Sequence, residues 1–402
     1  MSSEWIETDW GSIATLEYGK GLRDYRSGGG AYPVYGTNGQ VGHCESFLCP
    51  HAGIVVGRKG AYRGIHYSAN PFYVIDTAYW LKPKIDLDLK WAYYELLRQD
   101  INSLDSGSAI PSTTRDAFYS LDVFLPPIEE QKEIAHILGT LDDKIELNRK
   151  TNETLEAMAK ALFNSWFVDF DPVRAKVEGR PTGLPAEISD LFPDSFEDSE
   201  LGEIPSGWRV GCLSDCCEIT MGQSPPGDTY NDEGDGLPFY QGKTDFGFRF
   251  PGRRIYCSSH TRQASIGATL ISVRAPVGSA NIAREVCSIG RGIAALKSRQ
   301  SADSFIYYLI GTLQGVFESY NSEGTVFGAI NGKDLASIQV VAPSTEAVAA
   351  FNSQCLPMDE SIQSNTLETE HLTTIRDTLL PKLISGEIRI PDAEKMLEEV
   401  GV

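Results

Sequence analysis

The sequence predicts an α+β protein with two mixed α/β domains in a tandem pseudo-two-fold repeat, joined by two long antiparallel coiled-coil helices. Three observations predict this class. The chain repeats itself at an offset of 217 residues, each half ends in a long heptad-spaced stretch, and the rest of each half holds short β-prone runs broken by Gly, Asn and Pro. A length of 402 residues is enough for two or more domains with their own cores.

The repeat is visible in short matching segments. YPVYGTNGQVG at residues 32–42 resembles LPFYQGKTDFG at 237–247. At the offset of 217, Val123 meets Val340, and the helical stretches that follow stay in register without a gap. The predicted order is a first domain over 1–126, a central helix over 127–171, a linker over 172–207, a second domain over 208–343, a C-terminal helix over 344–385 and a tail over 386–402.

The two helices are predicted from a seam whose positions step by four and three residues. Its members are Leu141, Ile145, Asn148, Leu155 and Leu162 in the first helix, and Ile362, Asn365, Leu372 and Leu379 in the second. Asn148 and Asn365 are the midpoints of the two seams, so an antiparallel pair in register brings the two amides together. A polar seam residue of this kind can fix register, and the alternative is that both amides face solvent.

Two prolines interrupt the second helical stretch. Proline removes a backbone donor and clashes with the preceding turn of a helix. We therefore expect a kink or break near Pro357 and a loosened end near Pro381.

The charge distribution leaves room for a polyanionic partner although the net charge is −20. The acidic excess lies in residues 127–200 and 344–402, whereas residues 237–299 hold ten basic residues against two acidic ones, and 18–75 hold six against two. Binding of DNA phosphates requires such local positive charge. The alternative is that these stretches are solvated faces with incidental charge.

Arg, Lys and amide side chains among aromatic residues are the groups that contact phosphates and base edges. The candidates for DNA contact are Lys20, Arg23, Arg58, Lys59, Arg63 and Arg115 in the first domain, and Gln241, Lys243, Arg253, Arg254, Arg262, Arg274, Arg291 and Lys333 in the second. Any one of them can be a plain surface charge, and we expect about half to touch DNA.

Motifs for catalysis are missing from the sequence. There is no G-x4-G-K-[ST] phosphate loop, and Asn70-Pro71-Phe72-Tyr73 approaches an adenine methyltransferase tetrad but lacks its second proline and lies in a strand-like run. Two groups of metal-type ligands lack paired C-x2-C spacing and are expected to be free side chains: His43, Cys44, Cys49 and His51, and Cys212, Cys216 and Cys217. We predict no catalytic residue, no metal site and no cofactor in this chain.

The sequence also predicts a cytoplasmic protein without a membrane span. No run of about 18 apolar residues is present. The start MSSEWIETDWGS is acidic and lacks the basic and apolar regions of a secretory signal. The cysteines are therefore expected to be thiols.

Four stretches resemble the specificity subunits of type I restriction-modification systems. They are PPIEEQKEIAHIL at 126–138, LDDKIELNRKTNETLEAMAKALFNSWFVDFDPV at 141–173, ELGEIPSGWRV at 200–210 and RDTLLPKLISGEIRI at 376–390. The resemblance covers the whole chain in layout, while the two domains match only in outline. The second helix departs from the pattern at its start, where STEAVAAFNSQ replaces the Glu130-Gln131 pair of the first.

The resemblance implies a subunit that is not catalytic by itself. Each domain would be a target-recognition domain that reads one half of a split, asymmetric target in double-stranded DNA, and the helix pair would set the unread gap. The chain would hold two methylation subunits, which carry S-adenosylmethionine and methylate adenine N6. Through them it would hold two restriction subunits that use ATP and Mg.

One surface for a partner subunit is predicted at the end of the first helix. Phe163, Trp166 and Phe167, next to the seam residue Leu162, are candidates for docking, and the alternative is that they pack against the linker. Two other classes of protein stay open. A coiled-coil adaptor without DNA binding leaves the basic stretch at 237–299 unexplained, and a self-contained adenine methyltransferase needs a cofactor motif that the sequence lacks.

Overall fold

The computed structural model of the chain describes residues 5–26, 28–104, 110–322 and 328–399, so the last three positions of the predicted tail lie outside it. The chain divides into two compact units. Unit 1 combines the residues up to 149 with those from 366 onward, and unit 2 comprises residues 150–365. Each unit therefore contains one mixed domain and a section of both long helices.

The first domain is built mainly of short strands. Its elements are β1 (Ile6–Asp9), α1 (Trp10–Ile13), β2 (Ala14–Tyr18), β3 (Tyr32–Gly36), β4 (Gly39–Cys44), β5 (Gly53–Gly57), β6 (Ile65–Ser68), β7 (Tyr73–Val74), β8 (Ala78–Pro83), α2 (Leu89–Arg98), α3 (Arg115–Tyr119) and β9 (Asp122–Leu125). Strands β2, β8, β5 and β6 form an antiparallel sheet in that order, and β3 pairs with β4 and, in parallel, with β7. β1 pairs with β9 directly before the first long helix.

Side-chain caps explain where the helices of this domain begin. The Asp88 carboxylate accepts from the first backbone N–H groups of α2, and the Thr114 hydroxyl accepts from the N–H of Ala117 in α3. The hydrophobic face of α2 then turns inward, with Trp91, Tyr94 and Leu96 buried.

The first long helix is α4 (Ile128–Phe167), 40 residues in length. The segment predicted to be a linker folds into α5 (Asp171–Val177), α6 (Ala186–Ser189) and the hairpin β10 (Phe196–Ser199) and β11 (Gly202–Pro205). Phe192 of this segment is buried in the core of unit 2, where its ring centroid lies 6.3 Å from that of Trp208 at the start of the second domain.

The second domain repeats the framework of the first. Its elements are β12 (Arg209–Cys212), α7 (Leu213–Cys216), β13 (Cys217–Met221), β14 (Tyr230–Asn231), β15 (Leu237–Tyr240), β16 (Tyr256–Cys257), β17 (Gln263–Ala264), β18 (Thr269–Ser272), β19 (Ala280–Ile282), β20 (Cys287–Ile289), β21 (Ile293–Ser298), α8 (Asp303–Thr312), α9 (Gln314–Ser322), α10 (Gly332–Ala336) and β22 (Gln339–Ala342). The sheet β13-β21-β18-β19 has the strand order of β2-β8-β5-β6.

The offset between the two copies changes along the chain. It is 203 residues at β2 and β13, 215 at β8 and β21, and the predicted 217 from α3 and α10 onward. The offset grows because the second domain has longer connections between its shared strands. These connections add β14, β16 and β17 to the five-stranded sheet β14-β16-β15-β20-β17.

The second long helix is α11 (Thr345–Ile384), followed by α12 (Ile390–Glu399). The break at Pro357 is wrong, since α11 is one helix of 40 residues that runs through both prolines. The alternative of a kink at Pro357 and the loosened end near Pro381 stay predictions. Both prolines lie on the exposed side, where water can bind the carbonyl groups left without an N–H partner. Among the described residues, no helix has the length and hydropathy needed to cross a bilayer.

The helices run antiparallel within each unit. In unit 1 Arg376 bonds Asp142 at 2.9 Å, and in unit 2 the amide of Asn152 lies 3.5 Å from the carbonyl oxygen of Ile362. All the predicted seam residues are buried or half-buried.

The two seam asparagines have partners other than each other. Asn148 donates to the carboxylate of Glu368 at 2.7 Å, and Asn365 donates to the amide oxygen of Asn152 at 2.9 Å. The prediction that the two amides contact each other is therefore wrong. Each amide bonds a residue about one helical turn away from the asparagine that it was expected to contact, so the hydrogen bonds in the middle of the seam involve several side chains.

Each unit buries one large core between its domain and its helix sections. In unit 1, Trp91 and Leu96 of α2 cluster with Leu138 and Leu141 of α4 and with Leu379 of α11. In unit 2, the core contains a cluster of aromatic rings formed by Phe163, Trp166, Phe167, Phe192, Trp208, Phe305 and Phe351. Burial of this apolar area, at about 25 cal/mol per Å², stabilises both the domain and the helix pair.

Glu95 on α2 should make the stability of unit 1 depend on pH. It is 4% exposed, and burial raises its pKa to about 7 although Gln99 and Arg98 lie beside it. The native state then binds the proton more tightly than the unfolded chain does, so the free energy of unfolding falls as pH rises from about 4.5 to about 7.

Glu95→Gln removes this ionisable group. We expect the variant to be more stable than the wild type at pH 8, by up to about 3 kcal/mol, and to lose most of that advantage at pH 5. Urea unfolding at the two pH values measures the difference. An equal difference at both pH values would contradict the assignment.

Candidate nucleic-acid interface

One end of the first domain gathers basic side chains around an aromatic ring. Strand β2 ends at Tyr18, which lies opposite Tyr79 of β8, and β5 ends beside them at Gly57. Gly19 follows, and a Cβ there would lie 2.0 Å from the carbonyl oxygen of Ile75. Only glycine permits this close approach of two backbones. We call this end the recognition tip of the first domain.

Two guanidinium groups lie over the Tyr18 ring. The Cζ atom of Arg58 is 4.8 Å from the ring centroid and that of Arg115 is 4.1 Å from it. Arg58 is anchored by a bond from Nη1 to the carbonyl oxygen of Asp76 at 3.0 Å. In the described part of the chain, neither guanidinium forms an ion pair with a carboxylate. Two like charges on one ring favour an anion between or above them.

Two lysines extend the charge of this tip. The backbone of Lys20 bonds the carbonyl of Val74 at 2.9 Å, and the backbone of Lys59 bonds that of Thr77 at 3.1 Å. Both side chains are exposed. Arg58, Arg115, Lys20 and Lys59 thus form a set of cations whose charge can meet phosphate.

Arg63 does not belong to this set, and its prediction as a DNA contact is wrong. Its side chain is 2% exposed. Its Nη atoms donate to the carbonyl oxygens of Gly60, Ile101 and Asn102, with the shortest distance 2.8 Å. Arg63 therefore joins two loops of the domain. The remaining candidate, Arg23, is exposed in the connection between β2 and β3.

The equivalent end of the second domain has the same backbone and different side chains. β13 ends at Met221, and a Cβ on the next residue, Gly222, would lie 2.2 Å from the carbonyl oxygen of Gly290. Gly332, at the position of Arg115, packs against Met221. In the first domain two arginines lie over a tyrosine at this end. The second domain has Met221 and Gly332 there instead.

Predicted contacts nevertheless surround the tip of the second domain. Gln241 directly follows β15 and contacts Gly290 and Gly292. The backbone of Arg291 bonds the Ser224 hydroxyl at 3.3 Å, and the carbonyl of Arg262 accepts from Ile289 at 3.0 Å. Arg274 follows β18 and bridges to Ala329, two residues before the Asn331 cap of α10, which carries Lys333. These five side chains are exposed: Gln241, Arg262, Arg274, Arg291 and Lys333.

Two of the other predicted contacts of the second domain are arginines that form ion pairs with carboxylates. Arg253 pairs with Glu285 at 2.5 Å, and Arg254 pairs with Asp245 at 2.8 Å. Each guanidinium is therefore neutralised by a neighbouring carboxylate, which reduces its attraction for phosphate. Lys243 is exposed in the turn after β15.

The predicted docking residues at the end of α4 face inward, so their prediction as a partner surface is wrong. Phe163, Trp166 and Phe167 are at most 7% exposed. Trp166 packs on Phe192, 5.2 Å between ring centroids, and Phe167 packs on Trp208 at 5.9 Å. The alternative of packing against the segment after the helix describes them correctly.

Two important residues were missed from the sequence. Tyr18 carries the stacked arginines, and no pattern of charge or spacing singles it out. Arg249 counts toward the basic stretch at 237–299, but it is 1% exposed and bonds carboxylates of its own unit.

Within the described ranges, no group of three His, Cys, Asp or Glu side chains is arranged to hold a metal ion. Phe72 of the tetrad-like segment is fully buried.

Comparison with known families identifies the two repeated domains. Residues 3–157 and 205–354 match the family model described as the type I restriction modification DNA specificity domain. The chain therefore belongs to the family of type I restriction-modification specificity subunits, which confirms the resemblance that the sequence motifs indicate.

Relatives and a solved structure agree with this assignment. The chain is 35% identical over 274 residues to the putative type I restriction enzyme MjaX specificity subunit of Methanocaldococcus jannaschii, an alignment that covers 67% of this chain and 60% of that relative. It is 29% identical over 332 residues to the HindI specificity subunit of Haemophilus influenzae, covering 69% and 71% of the two chains. The crystal structure of a type I S subunit from M. genitalium has the same fold, with a TM-score of 0.67 at 19% identity over 94% of this chain and 96% of that one.

The arginines on Tyr18 should contribute to the salt dependence of DNA binding. For Arg58→Met and Arg115→Met, we expect weaker binding to a random-sequence duplex and a decrease of about 0.9 in the slope of log affinity against log salt for each lost phosphate contact. Fluorescence anisotropy across a salt series measures the slope.

Two variants serve as controls. Lys132→Met removes an exposed lysine that pairs with Glu129 on α4, and it should leave the slope unchanged. Arg63→Met should lower the melting temperature, because buried carbonyl groups lose their donor, without changing the slope. A slope that is the same in Arg58→Met, Arg115→Met and the wild type would exclude these arginines from the interface.

Proposed function

We propose that the chain reads a split, asymmetric target in double-stranded DNA, with one half-site bound at each recognition tip. The observation that carries this proposal is the repeated backbone with different side chains at equivalent positions, Tyr18 and Arg115 in one tip and Met221 and Gly332 in the other. Base edges are discriminated by the side chains that reach them, so different side chains on one framework select different sequences.

The chain is proposed to act through partner subunits. Two methylation subunits would supply S-adenosylmethionine and transfer its methyl group to adenine N6, and two restriction subunits would supply the ATP- and Mg-dependent cleavage. The chain itself would provide binding and no catalytic group or cofactor, as the specificity-subunit names of its relatives suggest. This function would be carried out in the cytoplasm, where the DNA lies.

The first test is a methylation map. We expect long-read mapping of N6-methyladenine to reveal one bipartite motif in cells that express this chain together with its methylation subunit, and no such motif in cells without the chain. The motif gives both half-sites and the gap. Methylation by the purified chain alone would instead support a methyltransferase. No motif, together with no salt-dependent DNA binding by the purified assembly, would support a coiled-coil adaptor.

The helix pair should set the gap between the half-sites. We expect one heptad inserted after Asn148, with a second after Asn365, to lengthen the gap by about three base pairs, since seven residues add about 10 Å of helix. Both points lie next to the places where the chain passes from one unit to the other. The same methylation map measures the result. Altered half-sites with a constant gap would contradict this role of the helices.

A further inference from the structure

Unit 2 contains a buried ionic cluster between its domain and its helix sections. Arg249 lies in the connection between β15 and β16 and is 1% exposed. Its guanidinium donates to the carboxylates of Glu156 on α4 and Asp359 on α11. It also donates to the Tyr308 hydroxyl at 2.9 Å. We call these four residues the Arg249 clamp.

The clamp is held in place from several sides. The guanidinium lies 4.7 Å from the ring centroid of Tyr307, and the carbonyl oxygen of Arg249 accepts from the backbone of Ile282 at 2.8 Å. The Ser304 hydroxyl donates to Asp359. A single side chain from the domain is therefore bonded to both long helices, and its own backbone is bonded to strand β19.

Stability alone does not account for such a cluster. Removing charges from water costs several kcal/mol per ion, and apolar residues of similar volume often stabilise a fold as well or better. Burial raises the pKa of the Asp359 carboxyl, and Arg249 opposes that change. A planar guanidinium bonded to two carboxylates is directional, which apolar packing is not. The clamp therefore restricts the angle between the domain and the helices.

Unit 1 has a different arrangement at the equivalent place. Asp142 and Tyr94 correspond to Asp359 and Tyr308 in the repeat. The Tyr94 hydroxyl donates to Asp142 at 2.6 Å, but the guanidinium there belongs to Arg376 of α11, which bonds Asp142 at 2.9 Å. The cation of unit 1 thus joins one helix to the other, whereas that of unit 2 joins the domain to both.

We propose that Arg249 is a positioning residue that fixes the angle of the second domain on the helix pair and thereby restricts which gap lengths the complex accepts. This inference rests on the proposed function. It does not involve base reading, because Arg249 is buried and bonded to carboxylates of its own unit.

The test uses a triple variant, Arg249→Met with Glu156→Gln and Asp359→Asn, which removes all the charges together and leaves no unpaired buried ion. Wild type and variant are each expressed with the methylation subunit, and N6-methyladenine is mapped in a plasmid library. The library carries both wild-type half-sites with the gap shortened or lengthened in steps of one base pair. Arg180→Met, which removes an exposed arginine paired with Glu178, is the control.

We expect the triple variant to methylate the same half-sites but to accept neighbouring gap lengths, with a several-fold rise in the ratio of off-length to correct-length methylation. The control should keep the wild-type ratio. A folded triple variant with the wild-type ratio would overturn the inference, and so would a changed second half-site, which would indicate base reading. A wild-type chain that directs no methylation would overturn the proposed function and this inference with it.

Arg249→Lys provides a second variant in case the triple variant does not fold. Lysine keeps the positive charge but lacks the planar fork that reaches two carboxylates. We expect a smaller rise in the same ratio, with co-purification of the methylation subunit and circular dichroism showing a folded chain. An unchanged ratio in this variant would also overturn the inference.

Discussion

The fold depends on the burial of each domain's apolar face against two helix sections from distant parts of the chain. In unit 2, Phe305 of the domain packs on Phe163 of α4, 5.4 Å between ring centroids, and on Phe351 of α11. In unit 1, Leu138 of α4 and Leu379 of α11 belong to the same buried cluster as Trp91 of α2. A domain alone would expose this face to water, and the helices alone would lose most of their burial. Domain and helix pair are therefore one cooperative structure in each unit.

Much of this arrangement is predictable because period and register are properties of the sequence. The seam spacing predicts two long helices, and α4 and α11 lie 217 residues apart, as do β9 and β22. The matched segments at 32–42 and 237–247 correctly align β3 with β15, whereas the offset of 203 at β2 and β13 was not predicted, since short strands with long connections leave weak local signals. The helix continues through Pro357 because this proline lies on its exposed side, where water can bind the carbonyl group left without an N–H partner.

The recognition tips show the limit of charge counting. The basic stretch at 18–75 contains both Arg58, which lies over Tyr18, and Arg63, which bonds internal carbonyl groups, and the net charge of a segment does not distinguish the two. Nor does it reveal that Arg253 and Arg254 have carboxylate partners. Those distinctions depend on contacts between residues far apart in sequence, which a single sequence without its fold does not contain. The inward orientation of Trp166 likewise depends on a contact made by the fold, since its ring packs on Phe192.

The glycines at the two tips have a consequence for the engineering of new specificities. Any side chain at Gly19 or Gly222 would collide with a backbone carbonyl, at 2.0 Å and 2.2 Å, and no rotamer change can relieve a contact with main chain. The residues that follow them, Lys20 and Gln223, are exposed and carry no such restriction. A combinatorial library that randomises the tips should therefore hold both glycines constant and vary the exposed positions around them.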